Sequence, residues 1–321
     1  MSMERIFGVD VGGTGIKMGA IVASDPPRVL DTDLLLQEVD RPVGKTVAMV
    51  ASRLKDLARS VGWDRADGIG IGSAGLIESA KGRIAFSPNL PAWAGAVLSD
   101  LFSRELDLPV RVDNDVNAFA LAEWRWGAGE RARDVVFLTI GTGVGGAFVS
   151  DGRLIRGANG FAGEPGHMTL VMDGIPCPCG NRGCAERYVG SQGITDAARQ
   201  HPEFGQDPLS ELDPITPEDL SRAAREGSRV AREVLAETGE KLGAILVSLV
   251  NVFNPDRVIL GGGITQAGGL LLDPAREHLS KRSLVARHAP PKVLPAALGE
   301  HAGVLGAAAV ILDAEGLARD A

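Results

Sequence analysis

Short apolar blocks that end in clusters of glycine recur along this chain, and helical periodicity fills the stretches between them. Residues 5–10 form an apolar run closed by an aspartate, which predicts a buried strand. Val11-Gly12-Gly13-Thr14-Gly15 then turns the chain, and 16–22 returns as a second strand. Apolar residues at Val47, Val50, Leu54, Leu57 and Ala58 carry helical spacing over 44–61. Residues 67–75 read as a strand opening into a second glycine loop, and 87–93 as a proline-punctuated loop that presents Asn89. A helix is expected over 98–106 and a short strand over 110–112. Asp113-Asn114-Asp115 follows, and then a helix over 116–126 rich in good helix formers. Asp115 therefore stands at a strand-to-helix corner. A helix N-cap accounts for it on its own, and so does a catalytic carboxylate, since such groups lie at strand ends in α/β sheets.

The pattern then repeats. Residues 134–140 read as a strand, Gly141-Thr142-Gly143-Val144-Gly145-Gly146 as its turn and 147–149 as its return. Apolar strand, threonine in a glycine loop, apolar strand is also the layout around Asp10. Two related α/β domains facing across a cleft follow from that repeat. The first spans 1–117 and is completed by a helix over 300–313; the second, larger one spans 118–299. Within the second, 202–217 is a polar surface excursion, and helices are expected over 219–237 and 241–253, stopped by Asn254-Pro255. Residues 256–260 form a strand running into Gly261-Gly262-Gly263, and 292–294 a last strand.

Length and charge narrow the classes. At about 150 residues per domain, 321 residues suit two domains. A net charge of −8 without a long basic run argues against binding to nucleic acid through a charged face. Phosphate can still be held locally by backbone N–H groups of a glycine loop. The hairpin at Asp10 is no P-loop, because no Gly-Lys-Ser/Thr follows and a strand rather than a helix succeeds it. No apolar run approaches the ~18 residues of a membrane helix, and no secretory pattern opens the sequence. A soluble cytoplasmic protein is expected, and three cysteines that cannot all pair fit a reducing compartment.

All three cysteines fall together, in Cys177-Pro178-Cys179-Gly180-Asn181-Arg182-Gly183-Cys184-Ala185-Glu186, downstream of Gly163-Glu164-Pro165-Gly166-His167. A disulfide within Cys-x-Cys would be strained. Cys177, Cys179, Cys184 and His167 instead make a complete tetrahedral set for a structural Zn²⁺, with no open position for catalysis. Glu164 and Glu186 are surplus to that set. Held around one point with His167, and joined by Asn89, Asn114 and Asp115, they suit a polyhydroxyl ligand.

These segments together resemble the ROK family (repressors, open reading frames and sugar kinases), and most of all its bacterial zinc-containing glucokinases. The resemblance rests on Asp10 to Lys17, Asn114-Asp115-Val116-Asn117, the 138–146 hairpin, Gly-Glu-Pro-Gly-His and the cysteine segment, and it spans nearly the whole chain. It implies the two-domain actin-like fold of the hexokinase/Hsp70 type. It further implies ATP with Mg²⁺, the nucleotide meeting Asp10, Gly12, Gly13, Thr14 and Lys17, then Thr142 and Gly143, then Gly261, Gly262 and Gly263. Gly75, Asn89, Asn114, Asp115, Glu164, His167 and Glu186 are implied as sugar contacts, with Asp115 the general base at O6 of a hexose, D-glucose above all. Two departures stand out: Gly72-Ser73-Ala74-Gly75 lacks a proline common there, and Ala185 replaces a bulkier residue. Both bear on sugar choice. The alternatives are another sugar (N-acetylglucosamine, N-acetylmannosamine, fructose or mannose), polyphosphate as donor, and a sugar-sensing regulator without a DNA-binding domain. The resemblance also implies a homodimer or homotetramer.

Overall fold

The computed structural model describes residues 4–38 and 40–316. In chain order the elements are β1 (Arg5–Val11), β2 (Gly15–Val22), β3 (Arg28–Leu36), α1 (Val43–Ser60), β4 (Gly68–Ser73), β5 (Leu76–Glu78), β6 (Arg83–Phe86), α2 (Leu98–Leu106), β7 (Val110–Asn114) and α3 (Asp115–Trp126). Then come β8 (Val135–Ile140), β9 (Val144–Ser150), β10 (Arg153–Leu154), α4 (Glu186–Val189), α5 (Ser191–Gln200), α6 (Pro217–Glu226), α7 (Arg229–Phe253), β11 (Arg257–Gly261), α8 (Gly269–Arg282), β12 (Lys292–Pro295) and α9 (Ala302–Gly316). They fall into two compact units. One gathers 1–131, 154–162 and 296–321; the other holds 132–153 and 163–295.

The first unit is built on a sheet of order β3-β2-β1-β4-β7. β1, β2 and β3 are antiparallel neighbours, while β4 and β7 join parallel to β1. Side chains alternate across the strand. Phe7, Val9 and Val11 face a core shared with Val47, Val50 and Leu54 of α1 and Phe102 of α2. On the opposite face, Ile6 joins Ala118 and Leu121 of α3 and Val304, Leu305 and Ala308 of α9.

Helix α9 reaches that face because the sheet lacks side chains under it. A Cβ built on Gly70 would lie 1.7 Å from the Ala307 carbonyl oxygen, and one on Gly8 would lie 2.1 Å from that of Val304. Backbone therefore meets backbone, which only glycine allows.

The second unit repeats the plan, with a sheet of order β10-β9-β8-β11-β12. β8 and β9 form the antiparallel hairpin, and β11 and β12 add parallel to β8. Its long helix α7 packs along α8. Among the described residues, no helix is long and apolar enough to cross a membrane.

Two expectations are corrected. The boundary at 117 cuts through α3, which belongs wholly to the first unit because it packs on α9. The helical break expected near 238–240 lies instead at Gly227-Ser228. Gly227 takes a left-handed φ of 110° and closes α6, while the Ser228 hydroxyl caps the Ala231 N–H to start α7. Thr238 and Gly239 continue the helix, and Gly239 admits the Leu271 carbonyl of α8 against its backbone.

Replacing Gly70 with alanine forces α9 off the sheet. Overpacking of this kind costs about 1–3 kcal/mol, so G70A is expected to lower the thermal midpoint by several degrees. Gly44→Ala is the control, since a Cβ there meets nothing within 4 Å. Its midpoint should be unchanged or higher, and equal behaviour of the two variants would contradict the backbone contact.

Candidate functional site

In the first unit the glycine turn between β1 and β2 closes through a Gly12 N–H to Gly15 O bond of 3.0 Å. Asp10 and Lys17 stand opposite each other at its base. Burial pushes the Asp10 carboxyl above its ordinary range, against the opposing pull of Lys17. Thr14 is exposed at the tip, and Asn89 lies against Gly13, its Cβ 3.1 Å from where a Gly13 Cβ would be. The lip of the turn and the Asn89 loop are thus one surface.

The corner at Asp115 is held more firmly than the sequence indicates. Asn114, not Asp115, is the N-cap of α3: its Oδ1 accepts from the N–H groups of Val116 (2.8 Å) and Asn117 (3.1 Å). Its Nδ2 donates to the Gly75 carbonyl at 3.0 Å, so a second N–H is left for a ligand. The cap relieves Asp115 of that duty, though its Oδ1 accepts from the Val116 N–H at 3.0 Å. Beneath them Asp113, 1% exposed, accepts from the Asn114 N–H and Asn117 Nδ2 through Oδ1, and from Arg156 Nε through Oδ2 at 2.8 Å. Arg156 also donates to Asp313 at 2.8 Å. Sequence reasoning did not find this buried ion pair. Asp113 sits in the same acidic triplet, but nothing marks Arg156, which reaches it from a distant part of the chain.

In the second unit His167, Cys177, Cys179 and Cys184 bring one ligand atom each to within 4.8 Å of the others. Cys179 Sγ lies 3.6 Å from Cys184 Sγ, and Cys177 Sγ lies 3.8 Å from His167 Nδ1. A tetrahedron with arms of about 2.3 Å has edges of about 3.8 Å, so the donor set fits a zinc ion. Burial first, and then the neighbouring thiols, push Cys184 up to about 12, while the Asn181 backbone amide lowers Cys179. Crowded thiols resist losing a second proton unless a cation takes its place.

His167 turns its other nitrogen toward Glu164, with Nε2 4.0 Å from Oε2. Desolvation raises the Glu164 carboxyl; His167 lowers it and the charge of Glu186 raises it further. Glu186 opens α4 and accepts the Val144 N–H on Oε2 at 2.9 Å. The cluster therefore backs a polar group of two carboxylates and one imidazole. The Pro165–His167 turn, which carries His167 and follows directly on Glu164, rests on β9, because a Cβ on Gly166 would lie 2.0 Å from the Val144 carbonyl oxygen.

Thr142 and Gly143 form the tip of the β8–β9 hairpin. Gly261 ends β11, and Gly262, at φ 90°, lies against the Ile140 carbonyl with its neighbour Gly263 beside Glu218 Oε1. The glycine turns of β8 and β11 are thus adjacent, as their parallel pairing requires.

The pattern that defines the ROK family matches residues 6–314. The glucokinase of Halalkalibacterium halodurans is 34% identical over 95% of this chain and 94% of its own. The xylose repressor of Caldicellulosiruptor bescii is 36% identical, but over 76% of this chain and 62% of its own. Among solved structures, a ROK family glucokinase from Streptomyces griseus in complex with glucose and AMPPNP superposes with a TM-score of 0.80 at 34% identity, covering 95% of this chain and 98% of that one. On this evidence the chain belongs to the ROK family and has its actin-like fold.

Proposed function

We propose that this protein transfers the γ-phosphoryl group of ATP to the 6-hydroxyl of a hexose, D-glucose first among the candidates. Similarity to glucokinases along almost the whole chain supports the reading. The observation that carries it is the polar group in front of the cysteine cluster, where Glu164 and Glu186 offer acceptors and His167 an imidazole N–H, a set suited to a ring of hydroxyls. A hydrogen-bonding site of this kind rejects analogues that lack a hydroxyl, because its polar groups would be left unpaired.

In this reading Asp115 takes the proton of the attacking hydroxyl, whose oxygen forms the new bond to Pγ as the bond from Pγ to the leaving ADP oxygen breaks. Asn114 positions that carboxylate from the cap, and Gly75 and Asn89 add sugar contacts. The amides of Gly13, Thr142 and Gly143, with Thr14 and Lys17, receive the phosphates in turns of which the first is closed by Gly12 onto Gly15, and Gly261, Gly262 and Gly263 receive the adenosine. Such transfer depends on positioning and electrostatics. Mg²⁺ carried by the nucleotide would neutralise phosphate charge, and Asp10 is the carboxylate of the first hairpin that would face it. His167, Cys177, Cys179 and Cys184 would hold Zn²⁺, which supplies rigidity rather than a reaction step. Similarity to a xylose repressor favours a second reading, a sugar sensor. A coupled assay over a sugar panel with ATP and polyphosphate decides: a sensor binds sugar without turnover.

Asp115→Ala is expected to lower kcat by about 10²–10⁴-fold, the usual share of a general base, while sugar binding by calorimetry persists. Turnover near wild type would remove Asp115 from that role. Cys179→Ser should lower zinc content, read by elemental analysis, together with sugar affinity; full affinity in zinc-free protein would refute the clamp. Asp10→Asn should reduce turnover yet raise the melting point at pH 7. The folded carboxyl titrates above its unfolded value, so its burial costs stability wherever it is ionised. That cost fades below about pH 4, where both states are protonated, and the two melting curves should converge there. A difference that persists at low pH would contradict the desolvation argument.

A further inference from the structure

Glu186 does more than border the cysteine cluster. Its Oε2 accepts the Val144 N–H at 2.9 Å, and a Cβ on Gly143 would lie 2.5 Å from the same oxygen. The carboxylate thus caps the tip of the β8–β9 hairpin, where Thr142 and Gly143 are read as phosphate ligands. The grip continues along the chain. Ser191, at the start of α5, gives both its N–H and its hydroxyl to the Gly141 carbonyl, each at 2.9 Å. On the other side the Gly166 backbone rests on the Val144 carbonyl. The segments that lead into His167 and out of Cys184 therefore hold this hairpin from both ends. Buried Cys184 stands two residues before Glu186, and the Ala185 N–H between them is tied to the Met168 carbonyl at 2.9 Å.

A carboxylate accepts at two oxygens, and Oε2 is the one committed to Val144. We propose that Glu186 is a shared positioning carboxylate. One oxygen fixes the phosphate hairpin and the other accepts a sugar hydroxyl, so sugar and nucleotide affinity are coupled within the second unit. The Cys177, Cys179, Cys184 and His167 cluster sets the stiffness of that link. The inference rests on the kinase reading above and deepens it by assigning the cluster a task on the donor side as well as the sugar side. A sugar that orders Glu186 lowers the cost of ordering the hairpin for phosphate, and linkage makes the effect reciprocal.

The test has two readouts. The affinity of AMPPNP is measured by calorimetry with and without saturating glucose, for wild type, Glu186→Ala and Glu186→Gln. Glucose is expected to tighten AMPPNP in wild type by at least about fivefold, the low end of usual coupling. In Glu186→Ala the ratio should fall to near one, with Glu186→Gln between; Gln is nearly isosteric and serves if the Ala variant does not fold. Hydrogen exchange at the Val144 amide, followed without ligands, should accelerate about tenfold or more in Glu186→Ala and after zinc is stripped by chelation. Wild-type coupling in the variants, no coupling in wild type, or a Val144 amide indifferent to Glu186 would overturn the inference. A wild-type protein that binds neither glucose nor AMPPNP would instead overturn the kinase reading, and the exchange measurement would still decide whether Glu186 holds the hairpin.

Discussion

Main chain touching main chain is the constraint on which the rest of this structure depends. In the first unit α9 lies on the sheet only because Gly8 and Gly70 leave room for the carbonyls of Val304 and Ala307. In the second, the turn that follows Glu164 and carries His167 lies on β9 only because Gly166 leaves room for the carbonyl of Val144. Backbone atoms have fewer ways to relax than side chains, so contacts of this kind fix position closely. Both glycine hairpins, β1–β2 and β8–β9, inherit that rigidity: α9 lies against the strand that carries Asp10, and the Pro165–His167 turn lies against the strand that begins at Val144.

Upon this scaffold the two units use opposite electrostatics. The first keeps its charges paired or strained. Asp113 is neutralised by Arg156, while Asp10 is buried opposite Lys17 with its proton affinity raised. The second gathers groups that repel one another, three thiols with two carboxylates close by, and a cation would relieve the crowding at the thiols. Titratable groups set in such unfavourable surroundings are candidates for functional ground.

Much of this was legible in the sequence, and the exceptions have causes. The hairpins at Asp10 and Thr142 show in the alternation of apolar runs with glycine, a signal local to the chain. The cysteine cluster shows because no other cysteine competes with it. Strand β3 left no such trace, since its edge position keeps Arg28, Asp31, Thr32, Leu34 and Leu36 exposed and breaks the period of two. Helix α8 was hidden by Pro274, a residue that ordinarily ends helices. The start of α7 was misplaced because Thr238-Gly239 reads as a break, whereas tertiary packing on α8 overrides the propensity. Arg156 on Asp113 and Glu186 on Val144 are contacts between distant segments that no local pattern records, whereas the Asn114 cap is local and lies one residue before the aspartate that the sequence offered for it.

The discontinuity of the first unit has a consequence for how the chain is made. Its sheet and its helices α1 to α3 emerge early from the ribosome, yet the helix that completes one face, α9, is synthesised only after the whole of the second unit. Until then Ile6, Ala118 and Leu121 have no cover from α9, and a hydrophobic surface waits open. Closing so long a loop late is slow, and partly covered sheets are prone to aggregate. The chain is therefore expected to lean on chaperones during translation more than its size alone would require, and the second unit to acquire its structure first.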